Sequence, residues 1–235
     1  MIPEENTLAE IVIKFPAAAA LFEKFDLDYC CHGRVTLKEA CPDSMQYNKI
    51  EHALHRLIED ESTGAEPVNY DRFTLPELID HIVSRHHAYV KAAMPRITAI
   101  LQKVTSRHGG AHPELVRIAG LFDEIRTDME HHMMKEELIL FPRIKSLCLE
   151  GKKVALQELE APVYKMLREH DLAGNLVHEI KMLSSNYQLP PNACTSYSVC
   201  FEELRQFEQD LHRHVHLENN ILFPKAMKQA ESSLN

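Results

Sequence analysis

His132 and Glu136 in one stretch, and His214 and Glu218 in another, stand four residues apart within copies of a single pattern, His-x-x-x-Glu-x-x-Ile-Leu-Phe-Pro. The copies run from His132 to Pro142 and from His214 to Pro224, so equivalent positions lie 82 residues apart. On an α-helix, positions four apart differ by ~40° in rotation and ~6 Å along the axis. Each copy therefore aims an imidazole and a carboxylate from one helical face. Such nitrogen and oxygen donors suit Fe, Mn or Zn. Two helices of this kind facing each other would bring two nitrogens and two carboxylates to one interior point, the arrangement of a two-metal site inside a helical bundle.

The phase of these residues strengthens the reading. His132 lies seven residues after Ile125, and Glu136 seven after Met129. His214 lies seven after Phe207, Glu218 seven after Leu211, and His170 midway between Val163 and Val177. They occupy slots that the apolar repeat assigns to the core. An uncompensated buried carboxylate costs several kcal/mol, against a total stability of only ~5–15 kcal/mol. No Lys or Arg falls at matching core positions; Lys135 and Arg213 sit beside the pattern but off the stripe. A pair of divalent cations is the economical compensation, and a bridging oxide would complete neutrality. Periodicity also puts His86 and His87 at the edge of an earlier apolar stripe without separating them. His178, eight residues beyond His170, is ~12 Å further along the axis and too far to share a metal with it. His81, His108, His112, His131, His212 and His216 are expected to face solvent or to sit outside the donor set.

Four long periodic segments must carry these side chains, about 74–107, 114–147, 154–185 and 194–230. The first opens with a capping box, Thr74 to Glu77, with Pro76 in its first turn. Short connections, Gly109-Gly110 to Pro113 and a loop over 186–192, make neighbours antiparallel. The expected fold is all-α, a four-helix bundle. Ahead of it, residues 1–62 read as a small helical domain with capping boxes at Thr7 and Thr36 and a looser one at Asn48 with Glu51. Residues 63–73 read as a linker, and 74–235 as the bundle. The small domain is too short for a stable core of its own, so it should dock on the bundle or on a second subunit.

Composition limits the function. A net charge of −9 argues against nucleic acid or an anionic membrane as principal partner. No apolar run approaches the ~18 residues of a membrane span, and the acidic start, Met1 to Glu5, has no secretory character. A cytoplasmic location is the expectation, with the six cysteines as thiols or metal ligands rather than disulfides. Cys30 and Cys31 are adjacent in a polar turn; a vicinal disulfide would be strained, and a lone Cys pair is not a zinc site.

The ferritin-like di-iron pattern requires Glu-x-x-His, which the chain lacks. The sequence instead resembles the hemerythrin-like bundles, and within them the iron–sulfur cluster repair di-iron proteins. The resemblance rests on Asp28-Tyr29-Cys30-Cys31, on His132 through Glu137, on Glu169-His170-Asp171, and on Leu217-Glu218-Asn219-Asn220 through Pro224, which span nearly the whole chain in the family's order. It implies six metal ligands, His87, His132, Glu136, His170, His214 and Glu218, with both glutamates bridging two Fe ions joined by an oxo or hydroxo group. It selects His87 over His86. It also implies restoration of iron–sulfur clusters damaged by oxidative or nitrosative stress, with damaged iron–sulfur proteins as clients and NO or O2 as small ligands. Cys30 and Cys31 would then be reactive thiols that receive iron, a nitrosyl or electrons. Whether the iron pair turns over, for instance by reducing nitric oxide, stays open, and the alternative function is an O2 or NO sensor or carrier. His32 departs from the glycine that commonly follows the family's cysteine pair.

Overall fold

Thr7, Thr36 and Thr74 each begin a helix in the same way. The threonine hydroxyl accepts the backbone N–H three residues on, and the glutamate there reaches back to the threonine N–H. The computed structural model describes residues 5–61, 68–149 and 156–232. Among these, the N-terminal region forms α1 (Leu8–Lys14), α2 (Ala18–Lys24), α3 (Leu37–Ala40) and α4 (Ser44–Glu61). The weaker start signal at Asn48 is superseded: α4 begins four residues earlier, where the Asp43 carboxylate accepts the Met45 N–H at 3.0 Å. Residues 63–67 of the expected linker lie outside the described residues, and within its remainder Tyr70–Arg72 form one 3-10 turn.

Four rods follow. The first is α5 (Leu75–His81), a π-helical turn π1 (Ile82–His87) and α6 (Ala88–His108). The second is α7 (Glu114–Lys135), π2 (Glu136–Leu140) and α8 (Phe141–Ser146). The third is α9 (Leu156–Leu183), and the fourth is α10 (Thr195–Leu217), π3 (Glu218–Leu222) and α11 (Phe223–Ser232). Helix α7 packs between α6 and α9, and α10 closes the bundle against α6 and α9. The third rod stops where Ser185, Asn186 and Tyr187 adopt positive φ (50°, 59° and 59°) and the Asn186 N–H turns back to the Lys181 carbonyl at 2.8 Å.

The spacing argument treats each rod as uninterrupted α-helix, and three of the four depart from that. In π2 the Phe141 N–H reaches back five residues to the Glu136 carbonyl, and in π3 the Phe223 N–H does the same to Glu218. The next residue is Pro142 or Pro224, which has no N–H to give and whose ring crowds the carbonyl one turn back. Widening the preceding turn relieves both problems. π-Turns of this kind recur at functional sites, and all three begin or end on a residue expected as a ligand.

The core is split. One buried cluster holds Met94, Ile97, Phe122, Ile125, Met129, Phe207 and Leu211 of the bundle, together with Leu8, Ile11, Phe22 and Tyr29 of the N-terminal region. The small region therefore docks on the bundle and completes its core. A second cluster, with Leu78, Ile82, Leu140, Phe141, Val163, Met166, Ile221 and Phe223, fills the opposite end. The candidate donors form a polar layer between the two.

Candidate metal centre

All six expected donors converge in that layer. His87, Glu136, His214 and Glu218 form one group, and His132, Glu136, His170 and Glu218 form another; within each, one donor atom per residue lies within 4.8 Å of every other. Both glutamates belong to both groups. All six side chains are buried. His86, which periodicity did not separate from His87, turns away and pairs its Nδ1 with Asp210 Oδ1 at 2.9 Å.

The imidazole tautomers show what the layer lacks. His132 Nδ1 donates to Glu169 Oε2 at 2.9 Å, and His170 Nδ1 donates to Asn219 Oδ1 at 2.7 Å. The Asn219 orientation is fixed because its Nδ2 donates to the Cys30 carbonyl at 3.3 Å. With both Nδ1 atoms protonated, the neutral rings point bare Nε2 lone pairs at each other across 3.0 Å. His87 Nδ1 donates to Glu137 Oε1 at 2.7 Å, and its Nε2 faces His214 Nε2 at 3.2 Å. Glu136 Oε1 and Oε2 and Glu218 Oε2 are buried and accept no hydrogen bond. Yet imidazole nitrogens approach these carboxylates at 3.1–3.4 Å (His170 on Glu218, His132 and His87 on Glu136). Lone pairs aimed at lone pairs, with carboxylates beside them, call for cations between them. The donor set, two nitrogens and two shared carboxylates in each group, fits a pair of first-row divalent ions.

Without cations, protons have to do that work. Burial opposes a charge on His132, but Glu136, Glu169 and Glu218 outweigh it and push that ring up to about 10. His214 is likewise raised against its burial by Glu218 and Glu136. Burial works against the charge on Glu218, and His214 and His170 reverse it, holding the carboxyl well below its usual range. The hydrogen bond from His132, aided by Lys135 against the effect of burial, pulls Glu169 down to about 2. A metal that takes over from these protons must release them on binding.

The layer has an approximate internal twofold that the repeated motif encodes. It relates the first rod to the third and the second to the fourth: His87 to His170, His132 to His214, Glu136 to Glu218. Phe141 stacks on His87 (5.7 Å between centroids) and Phe223 on His170 (6.2 Å), sealing equivalent edges. The outer partners break the relation. Glu137 backs His87 where Asn219 backs His170. Glu169, beside His170, backs His132, while the equivalent neighbour of His87 is His86, which stacks on His214 at 5.8 Å and leaves His214 Nδ1 without a partner.

These outer residues escaped the periodicity argument because they lie off the core stripe. A usable signal existed: each adjoins an expected ligand, Glu137 after Glu136, Asn219 after Glu218, Glu169 before His170. Lys91 and Lys135 complete the backing, at 2.6 Å from Glu137 and 2.5 Å from Glu169. Of the two alternatives expected for His216, the structure excludes solvent exposure and leaves it outside the donor set. It is buried, donates from Nδ1 to the Tyr29 carbonyl at 3.3 Å and lies against the Tyr29 ring.

Cys30 is buried and Cys31 half-buried, both as free thiols. They share a cavity of about 170 Å³ with His170, Gly174, His178 and His212. The thiol turn thus opens onto the back of a polar-layer histidine. Gly33 permits it, since a Cβ there would stand 2.2 Å from the Tyr29 carbonyl oxygen.

Residues 78–226 match the hemerythrin HHE cation binding domain, and residues 4–57 match a domain of unknown function (DUF542). Over 226 residues, 96% of this chain and 98% of the relative, the sequence is 32% identical to a probable iron-sulfur cluster repair protein of Haemophilus influenzae. It is 36% identical over 228 residues to the iron-sulfur cluster repair protein YtfE of Dickeya chrysanthemi, covering 95% and 97% of the two chains. With YtfE of Escherichia coli O157:H7 it shares 34% over 230 residues, 97% and 99% of the chains. Among the described residues no helix is long and apolar enough to cross a membrane.

Proposed function

This chain belongs to the hemerythrin-type iron–sulfur cluster repair family, and from that premise we propose that it holds two iron ions in the polar layer and uses them to restore damaged iron–sulfur clusters. The observation that carries the reading is the sharing of Glu136 and Glu218 by both donor groups. That is the arrangement two bridging carboxylates need, with His87 and His214 serving one ion and His132 and His170 the other. A bound iron pair supplies electrons and open coordination positions for a diatomic such as NO or O2.

The chain's own residues prepare the layer for that cargo. Glu137, Glu169 and Asn219 fix the imidazole tautomers so that Nε2 is the free donor, and carboxylate backing raises ligand basicity. Phe141 and Phe223 cover two of the rings and exclude water. Cys30 and Cys31 are the reactive thiols of this scheme, placed one cavity wall from His170. Damaged iron–sulfur proteins are the clients and the cytoplasm the setting. Residues 1–62 act as the thiol-bearing domain, joined through residues 63–73 to the bundle at 74–235. A carrier or sensor of O2 or NO would need only the bundle; the docking of the thiol turn against it favours repair.

The test is recovery of a nitric-oxide-damaged iron–sulfur enzyme on addition of the metal-loaded chain. Recovery that requires both the loaded centre and the cysteine pair supports repair. Reversible NO binding with no recovery, unchanged in Cys31→Ser, replaces it with the carrier reading.

A further inference from the structure

We infer that Asp28, Cys30 and Cys31 form a second cation site, separate from the His/Glu layer, that takes one tetrahedral divalent transition ion of the ferrous or zinc type. The inference deepens the repair reading, in which the thiol pair takes part, but it stands on its own geometry. Cys30 Sγ and Cys31 Sγ are 3.9 Å apart and Asp28 Oδ1 is 3.3 Å from Cys30 Sγ. All three donor atoms lie within 4.8 Å of one another. Two thiolates at about 2.3 Å from one tetrahedral ion stand about 3.8 Å apart, and a thiolate and a carboxylate oxygen on such an ion about 3.6 Å apart. The turn therefore already holds the sulfurs near the spacing that one ion requires. A bare Cys-Cys pair lacks enough ligands; the carboxylate two residues earlier supplies the third.

The turn is built to keep that carboxylate in place. Asp28 Oδ1 accepts the backbone N–H groups of Cys30 and Cys31 at 3.0 and 2.9 Å. Its Oδ2 accepts from His32 Nδ1 at 2.7 Å, a carboxylate–histidine pair of the kind that backs metal ligands. The tetrahedron's remaining position is free for solvent or for a transferred ligand, and the turn borders the cavity that reaches His170. The hydrogen bond with Cys31, burial and the charge of Asp28 hold the Cys30 thiol well above its ordinary range. A cation reverses that, since a coordinated thiol is deprotonated.

The experiment titrates Co2+ alone, without oxygen and under reduction, into the full chain with its bundle already loaded with iron. The expected result is saturation at one Co2+ per chain with a thiolate-to-cobalt charge-transfer band, and two sulfur neighbours at about 2.3 Å by X-ray absorption at the cobalt edge. Cys31→Ser, at a half-buried position, should roughly halve the band and leave a single sulfur neighbour, and Asp28→Asn should weaken binding by about tenfold or more. A cobalt environment of only nitrogen and oxygen, or a band undiminished in Cys31→Ser, overturns the site. The X-ray absorption reading needs no variant, so a misfolded mutant does not shield the inference. Iron content followed in the same sample reports on the bundle separately. Retained iron with sulfur neighbours on cobalt assigns the cobalt to the thiol turn, whereas iron lost in step with cobalt that has only nitrogen and oxygen neighbours places the cobalt in the bundle and overturns the second site.

Discussion

His170 donates its Nδ1–H to Asn219 Oδ1 across 2.7 Å, and Asn219 passes the constraint on by donating from Nδ2 to the Cys30 carbonyl at 3.3 Å. One buried amide thus orients a polar-layer imidazole and anchors the thiol turn. Asn220 supports the same turn, donating to the Cys30 carbonyl at 3.0 Å. The coupling between bundle and N-terminal region runs through the two residues that directly follow Glu218.

Asn219→Leu removes both hydrogen bonds while keeping the number and branching of side-chain heavy atoms. Loss of such a partner typically weakens metal binding by about 10–100-fold. We expect a loss in that range, read by competition with a chelator, together with faster alkylation of Cys30, which is 5% exposed in the folded chain. If alkylation is unchanged while metal affinity falls, the link to the thiol turn is absent.

Glu136→Gln tests the shared carboxylate. The side chain is fully buried, and in the metal-free chain its charge is balanced by the proton it helps to hold on His132. Removing that charge should lower the melting temperature of the metal-free chain, because it leaves a buried imidazolium short of its partner. The same change should lower iron capacity and shrink the stabilisation that metal gives. For the natural chain, free metal 1,000-fold above Kd stabilises by about 4 kcal/mol, roughly 8–16 °C for a chain of this size. Calorimetry with and without metal checks both signs. A Glu136→Gln chain that gains as much from metal as the natural chain would refute the assignment.

Acid should destabilise the docking of the N-terminal region through His216. Burial depresses this ring from 6.5 to about 4, opposed weakly by its bond to the Tyr29 carbonyl. Above pH 6.5 the ring is neutral in folded and unfolded chains and contributes no pH dependence. As pH falls from 6.5 towards 4, only the unfolded state takes up the proton, so stability declines, by roughly 3 kcal/mol in full at about 1.4 kcal/mol per pKa unit. Denaturant melts of the natural chain and of His216→Gln across this window, both metal-free, should converge at low pH. Parallel curves would show that another group carries the acid response.

The bundle and its donors were legible because burial imposes periodicity: a Glu or His in phase with Ile125, Phe207 and Leu211 has few bland explanations. Distinguishing His87 from His86 was beyond that argument, since both sit at the stripe's edge and only tertiary packing sends one inward and the other to Asp210. The π-turns were hidden for a related reason. A repeat in the sequence reports which face is apolar, whereas the widening answers a backbone conflict at Pro142 and Pro224 that periodicity does not register. Lys135 shows the limit most plainly. It lies off the stripe, yet through Glu169 it helps set the tautomer of His132.

Metal counting in protein purified without oxygen, combined with Mössbauer spectroscopy of the same sample, reads the iron pair itself. Two irons per chain, magnetically coupled after oxidation and lost together in Glu218→Gln, are expected. A folded chain that restores clusters with no bound iron, or one that carries a single zinc in the bundle, would contradict the two-iron centre.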